Sequence, residues 1–299
     1  MIKNSERKGE IISFIEITIW ALFPVLAVLS FSTLPSLISL AWSGVFSALF
    51  FVCAVLIRRK WKDFTKPILW KAALIGAVSI NICFYSLYYI GLTMTSPGNG
   101  SIIALFEIFT AFLFFNVLMK EKISGNRILG ALLMVAGAII VVFPDTGNIN
   151  LGDVLILIAT FFCPVGNYYA QKAREVVSSE SIMLLRTLIA TPVLFLLAYI
   201  FGMHASFEDV RGSLMFLFIS GFVLFGFTKI LWVEQIRFIS VTKALALSSV
   251  GPLFTILFAW ALIGTYPTLW QLLSLIPFAL GVLLLTDYIK VWRSPDVIS

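Results

Sequence analysis

The chain has 299 residues, a net charge of +6, 60% hydrophobic residues and 12% charged ones. A soluble domain carries roughly 25% charged residues, so the composition excludes an ordinary globular enzyme and points to a membrane protein. The cations sit at the ends of apolar segments and leave no basic face or arm, which excludes a nucleic-acid partner and suits anionic lipid headgroups.

Windows of about 19 residues give ten apolar spans, at 11–31, 37–57, 70–92, 98–118, 127–143, 153–171, 181–201, 213–235, 244–263 and 269–289. With the N-terminus in the cytoplasm, the inward-facing ends carry Lys3, Arg7 and Lys8, then Arg58, Arg59, Lys60, Lys62, Lys66 and Lys71. Lys120, Lys122, Arg127, Lys172, Arg174, Arg237, Lys243, Lys290 and Arg293 complete that side. Eighteen of the 21 cations therefore face inward, Arg211 alone faces outward, and Arg186 and Lys229 fall inside spans. This is the positive-inside bias, and it predicts an all-α membrane protein of ten helices with both termini cytoplasmic.

Span 1 carries Glu16, Trp20 and Pro24 as one stripe of a helix. Its length and its acid argue against a cleaved signal peptide. Span 3 places Asn81, Tyr85 and Tyr88 on one face, with Asn81 near mid-depth. Tyr88 and Tyr89 approach the outer interface, where an aromatic belt explains them as well as a cavity does. Span 4 holds Glu107 near the midplane, where a carboxylate costs about 2.5–3.5 kcal/mol and must face protein or water. It is expected to serve as counter-ion to an amine or as a proton carrier; the structural alternative bonds it to a partner such as Asn81. In span 5, Gly130 and Gly137 share a face that admits a close helix neighbour.

Span 6 carries Pro164, Asn167, Tyr168 and Gln171 along one stripe. Arg186 in span 7 is read as structural, its long stem reaching water at the cytoplasmic end. The largest outer loop, about Gly202 to Gly212, holds the only histidine, His204, read as a solvated loop residue. Span 8 has Lys229, Trp232 and Glu234 in its inner half. Glu16 and Lys229 lie at comparable depth, which fits a buried salt bridge, a snorkelling lysine, or a charge pair working as an inner gate. Pro24, Pro164, Pro192, Pro252 and Pro277 lie within spans and favour kinks. Cys53, Cys83 and Cys163 have no metal-ligand spacing and read as apolar packers.

Shifted by about 140–145 residues, the chain overlays itself as an inverted repeat does. Pro24 falls on Pro164, Glu107-Ile108-Phe109-Thr110 on Pro252-Leu253-Phe254-Thr255, and Gly137 near Gly281. Five helices per unit reverse the second unit in the membrane, the usual construction of secondary transporters, with substrate between the halves. The organisation is a 1–10 tail, a first unit over 11–145, a second over 146–289, and a 290–299 tail.

Glu121-Lys122-Ile123-Ser124, followed by Gly130 and Gly137, resembles the drug/metabolite transporter superfamily and within it the EamA type. Gly152-Asp153 at the start of span 6 resembles the same family. The second unit keeps the frame in Gly264, Pro267, Thr268, Gln271 and Gly281, but has Thr265 for the family's Glu and Ser274 for its first Gly. The resemblance implies a pathway between the halves, export of small polar metabolites, and no fixed substrate. Glu121 itself, between Lys120 and Lys122, reads as an anchor of the inner loop.

The expected function is alternating-access export of a small polar or amphipathic metabolite, such as an amino acid or amine, across the cell membrane. Candidate substrate residues are Glu107, Asn81, Tyr85, Trp20, Asn167, Tyr168 and Trp232. Glu16 and Lys229 are the gate candidates, and Pro24, Pro164 and Pro252 the helix bends. A small-molecule substrate and the lipid bilayer are the expected partners, with a coupled proton and a second copy of the chain as options; no cofactor or metal is expected. The alternatives are a nucleotide-sugar or phosphate-ester carrier, which needs several inward cations at mid-depth, and a non-transporting membrane sensor.

Overall fold

A computed structural model describes residues 2–119, 124–142, 150–289 and 291. Glu121 and Lys122 of the motif, the join near residue 146, and all of the last tail but Val291 lie outside the described residues. Within them the chain is helical throughout, as bilayer-spanning backbone must be when no water can satisfy its amides. Among the described residues nine helices are long and apolar enough to cross a membrane: α1 (Glu6–Ser30), α2 (Ser36–Ile57), α3 (Pro67–Leu92), α4 (Pro97–Phe115), α5 (Gly125–Val142), α6 (Leu151–Ala173), α7 (Ser179–Ile200), α8 (Phe207–Gln235) and α9 (Lys243–Ile263). The tenth, α10 (Leu269–Leu285), is apolar over 17 residues, the lower end of the roughly 17–25 that a spanning helix needs.

Six of these helices depart from regular winding near their middles, four by a break and two by a π segment, and the departures match between the two units. α1 breaks between Trp20 and Phe23, and α6 between Ala159 and Cys163. α4 breaks at Leu105, and α9 between Ser248 and Gly251. α3 and α8 stay continuous but wind into π turns over Ala77–Phe84 and Ile219–Phe227. Pro24, Pro164 and Pro252 each stand in the first turn of the second half-helix, where a missing N–H costs nothing. Pro192 and Pro277, expected to kink their spans, lie inside α7 and α10, which run on without a break.

A broken helix leaves carbonyls that lipid cannot satisfy, and here each unit caps the other. Thr255 of α9 donates its hydroxyl to the Ala21 carbonyl at the α1 break, at 2.9 Å. Thr110 of α4 donates to the Thr160 carbonyl at the α6 break, at 2.8 Å. These threonines are the residues that the internal overlay superposes, so one bond is made twice across the pseudo-symmetry.

The continuous helices α2, α5, α7 and α10 supply the frame. A Cβ on Gly130 would lie 2.8 Å from the Gly281 carbonyl oxygen, and one on Gly137 2.7 Å from the Phe278 ring, so α5 and α10 touch backbone to backbone. A Cβ on Gly44 of α2 would meet the Thr191 hydroxyl of α7 at 2.6 Å. At the basic end, Asp63 accepts from the Ser178 amide (2.9 Å), the Ser178 hydroxyl (2.8 Å) and the Ser181 hydroxyl (3.0 Å), and Arg58 pairs with Glu180. At the other end Thr33 donates to the Asp209 carbonyl (3.0 Å) and shares a 2.6 Å bond with Ser213, and the Asp153 carboxylate accepts from Thr95 and Asn99.

Candidate functional site

The two π segments meet at a small cavity of about 30 Å³ with a mixed polar and apolar lining, room for water but not for a solute. A π turn widens the helix and turns side chains off the regular face, and such turns gather at functional sites. Here α3 contributes Asn81 and Tyr85, while α8 contributes Phe225 and Lys229. Arg186 and Thr191 of α7 line the opposite wall. A larger cavity of about 340 Å³ near Trp42 and His204 is walled mainly by apolar side chains at the end bearing the α7–α8 loop. The charged groups gather only at the smaller one.

Arg186 corrects the sequence reading. It is only 9% exposed, does not reach water at a helix end, and looks into the central cavity. Its stem lies against α3, since a Cβ on Gly76 would come within 2.9 Å of Arg186 Cδ. Its Nε is buried without a hydrogen-bond partner, and Asn81 Oδ1 in the same cavity is likewise unpaired. An isolated span cannot foretell this, because the orientation of a mid-helix arginine depends on which neighbour lies beside its stem.

Lys229 holds its ammonium 3.5 Å from the centre of the Trp20 ring, a desolvated cation–π contact. Glu16, 5% exposed, is near enough to act on Lys229 electrostatically, although no ion pair within 4 Å joins them among the described residues. Around these two, α1 packs on the last turns of α8, where Ser13 and both polar atoms of Gln235 are buried unpaired.

Glu107 stands in the first turn after the α4 break, where a half-helix N-terminus favours a negative charge. Asn167 of α6, exposed at the edge of the site, donates to Glu107 Oε1 at 3.0 Å, and the Cys163 thiol is also within hydrogen-bonding reach. The partner anticipated from sequence, Asn81, is not the one Glu107 takes. Its position nonetheless keeps Glu107 within electrostatic reach of Lys229 and Tyr85.

Other expected residues separate. Tyr88 and Tyr89 form no interfacial belt: they are 1% and 0% exposed and pack on Phe23, at 5.3 and 5.9 Å between ring centres. Phe23 also contacts Trp20, Tyr85 and Phe225, making it the hub of an aromatic cluster beside the cavity. No polar signal marked it in the sequence, only its place before Pro24. Tyr168 packs on Phe114 and Phe115 with the Lys172 ammonium 4.4 Å above its ring, and Trp232 is half-buried on α8; neither lines the cavity. Asp153 is spent on structure, accepting from Thr95 (2.5 Å) and Asn99 (3.0 Å), while Gln271 donates to Asn99 Oδ1 at 2.8 Å. The Gly-Asp pair therefore joins α6 to α4 and α10 rather than meeting a solute.

Comparison with known proteins agrees with this architecture. A solved structure titled "Crystal structure of protein" superposes with a TM-score of 0.63 at 17% identity, over 93% of this chain and 96% of that one. At that identity the likeness is one of fold. No curated protein matches. The model of the EamA-like transporter family matches twice, over residues 7–143 and 150–287. Two matches meeting where the broken helices begin to repeat, and together spanning nearly the whole chain, make this a multi-pass membrane protein of the EamA-like transporter family, within the drug/metabolite transporters.

Proposed function

We propose that the chain is an alternating-access secondary transporter that exports a small polar or amphipathic metabolite, an amino acid or amine, with ten spans and both termini in the cytoplasm. The observation that carries this is the paired irregularity of α1, α3, α4 and of α6, α8, α9, with the π-wound members α3 and α8 lining the cavity that also holds Arg186. Transporters place substrate at such discontinuities between inverted repeats. Reciprocal capping by Thr110 and Thr255 ties each break to the opposite unit, so rocking one unit on the other moves both breaks together.

Glu107 is the group for an ammonium or a coupled proton, with Asn167 orienting its carboxylate. Glu16 and Lys229 suit an inner gate: the α1–α8 seam buries polar groups without partners, so opening it to water regains hydrogen bonds that closure forgoes. Arg186 beside Lys229 gives the phosphate-ester reading the mid-depth cations it lacked in the sequence, and makes it the second choice.

Orientation is tested by cysteines at Trp61 and Ser206: an impermeant thiol reagent outside intact cells should label the second alone. Labelling of the first alone would reverse the orientation. Function is tested by counterflow of radiolabelled amino acids and amines in proteoliposomes. Saturable flux is expected, and its absence across the panel would favour a non-transporting sensor.

A further inference from the structure

We infer that Arg186, Lys229 and Asn81 form a subsite for an acid group of the transported solute, so that the solute is a zwitterion rather than a simple amine. This rests on the transporter proposed above and adds a residue that the sequence assigned to structure. Arg186 is a buried guanidinium with an unpartnered Nε and, among the described residues, no carboxylate within 4 Å. A buried cation without a counter-ion is costly and is retained where a ligand supplies one. The guanidinium fork matches a carboxylate in two parallel bonds. Lys229, lining the same cavity, has its ammonium on the Trp20 ring face rather than in an ion pair, so it too is open to an anion.

Asn81 adds a group that suits both ends of such a solute. Its amide carries an acceptor that the cavity leaves unpaired and an NH2 that can donate, so an N–H beside an acid group, as an α-amino acid provides, can satisfy it. A zwitterion adds no net charge to a closed, low-dielectric site. An amine adds a positive charge and a phosphate monoester up to about two negative ones at neutral pH, and uncompensated charge there is penalised. Tyr85 and Phe225 leave an aromatic wall for the remainder of the solute. The cavity of about 30 Å³ has room for a water rather than a solute, so ligand entry requires the units to separate.

The test uses the purified full-length protein and calorimetry against twenty amino acids, their decarboxylated amines, their deaminated acids, and phosphomonoesters of the same skeletons. At least one amino acid should bind about tenfold or more tighter than its amine. Arg186→Gln should abolish that difference, the amino acid losing affinity and the cationic amine gaining it, and Arg186→Lys should restore part of it. Arg211→Gln, a cation far from the cavity, should behave as wild type. Amines binding as tightly as their parents, phosphomonoesters binding tightest, no binding by any of the panel, or unchanged discrimination in Arg186→Gln would each overturn the subsite. Saturable flux of amines alone would sink this inference but spare the transporter. Discriminating binding without any flux would do the reverse.

Discussion

The two five-helix units share their backbone irregularities and divide their chemistry. Each has a first helix broken before a proline, a third wound into a π segment, and a fourth broken near its middle. The side chains at matching places differ: Glu107 stands where the second unit has Pro252, and the Trp20-to-Phe23 stretch where it has Thr160 to Cys163. Lys229 and Arg186 belong to the second unit alone. On the transport proposed above, shared breaks suit a motion common to both units, while a single solute has one orientation, so its acid and base partners need not repeat. The proposal therefore assigns movement to what the units share and recognition to what they do not.

The sharpest way to break that division is at Glu107. Glu107→Gln is nearly isosteric, keeps a hydrogen bond with Asn167, and removes a costly charge, so melting temperature should hold or rise. Transport should fall by about a hundredfold or more if the carboxylate binds substrate, or lose its pH coupling if it carries a proton. Wild-type flux per folded molecule, measured with melting temperature on one preparation, would remove Glu107 from the site. Pro252→Ala at the matching place should leave most flux intact.

Gly137→Leu probes the frame rather than the pathway. With the Phe278 ring 2.7 Å from any added Cβ, overpacking should cost about 1–3 kcal/mol or prevent assembly. Ligand affinity of the folded fraction should stay at the wild-type value. A stable Gly137→Leu protein that has lost binding would move α5 into the pathway.

Thr110→Val and Thr255→Val test whether the two breaks are equivalent. Each leaves one buried carbonyl without its donor, at about 1–3 kcal/mol by the general cost of such a loss. Similar destabilisation and a similar slowing of flux are expected from both. A large effect from only one would mean that a single unit moves.

The smallest effect is expected at the basic end. Burial tends to raise the Asp63 carboxyl, but hydrogen bonds from the Ser178 amide and hydroxyl and from Ser181, with the Lys66 charge, hold it below its ordinary 3.8. A depressed acid contributes stability above its unfolded value and loses it as pH falls through the folded one. Asp63→Asn should therefore cost about 1 kcal/mol at neutral pH, and the gap from wild type should close as acid protonates Asp63 in the native protein. A gap independent of pH would mean the contact is one of shape. Thr33→Val, which removes an uncharged tie at the opposite end, should lack the pH dependence altogether.

The membrane class, the approximate spans, the repeat and the family were legible because bilayer insertion and charge bias act residue by residue along the chain. The overlay of Thr110 on Thr255 was legible too, though not that each would reach across to cap the other unit's break. Proline positions marked three of the four breaks but also marked Pro192 and Pro277, where the helices continue; whether a proline interrupts depends on its place relative to a break. Tyr88 and Tyr89 resembled an interfacial belt by depth, and became core because Phe23 of another helix packs on them. Arg186 resembled a snorkelling side chain by position, and became a cavity wall because Gly76 leaves room for its stem. Depth in the membrane is a one-dimensional property that the sequence carries. Which way a side chain faces at that depth is decided by neighbouring helices brought together from distant parts of the chain.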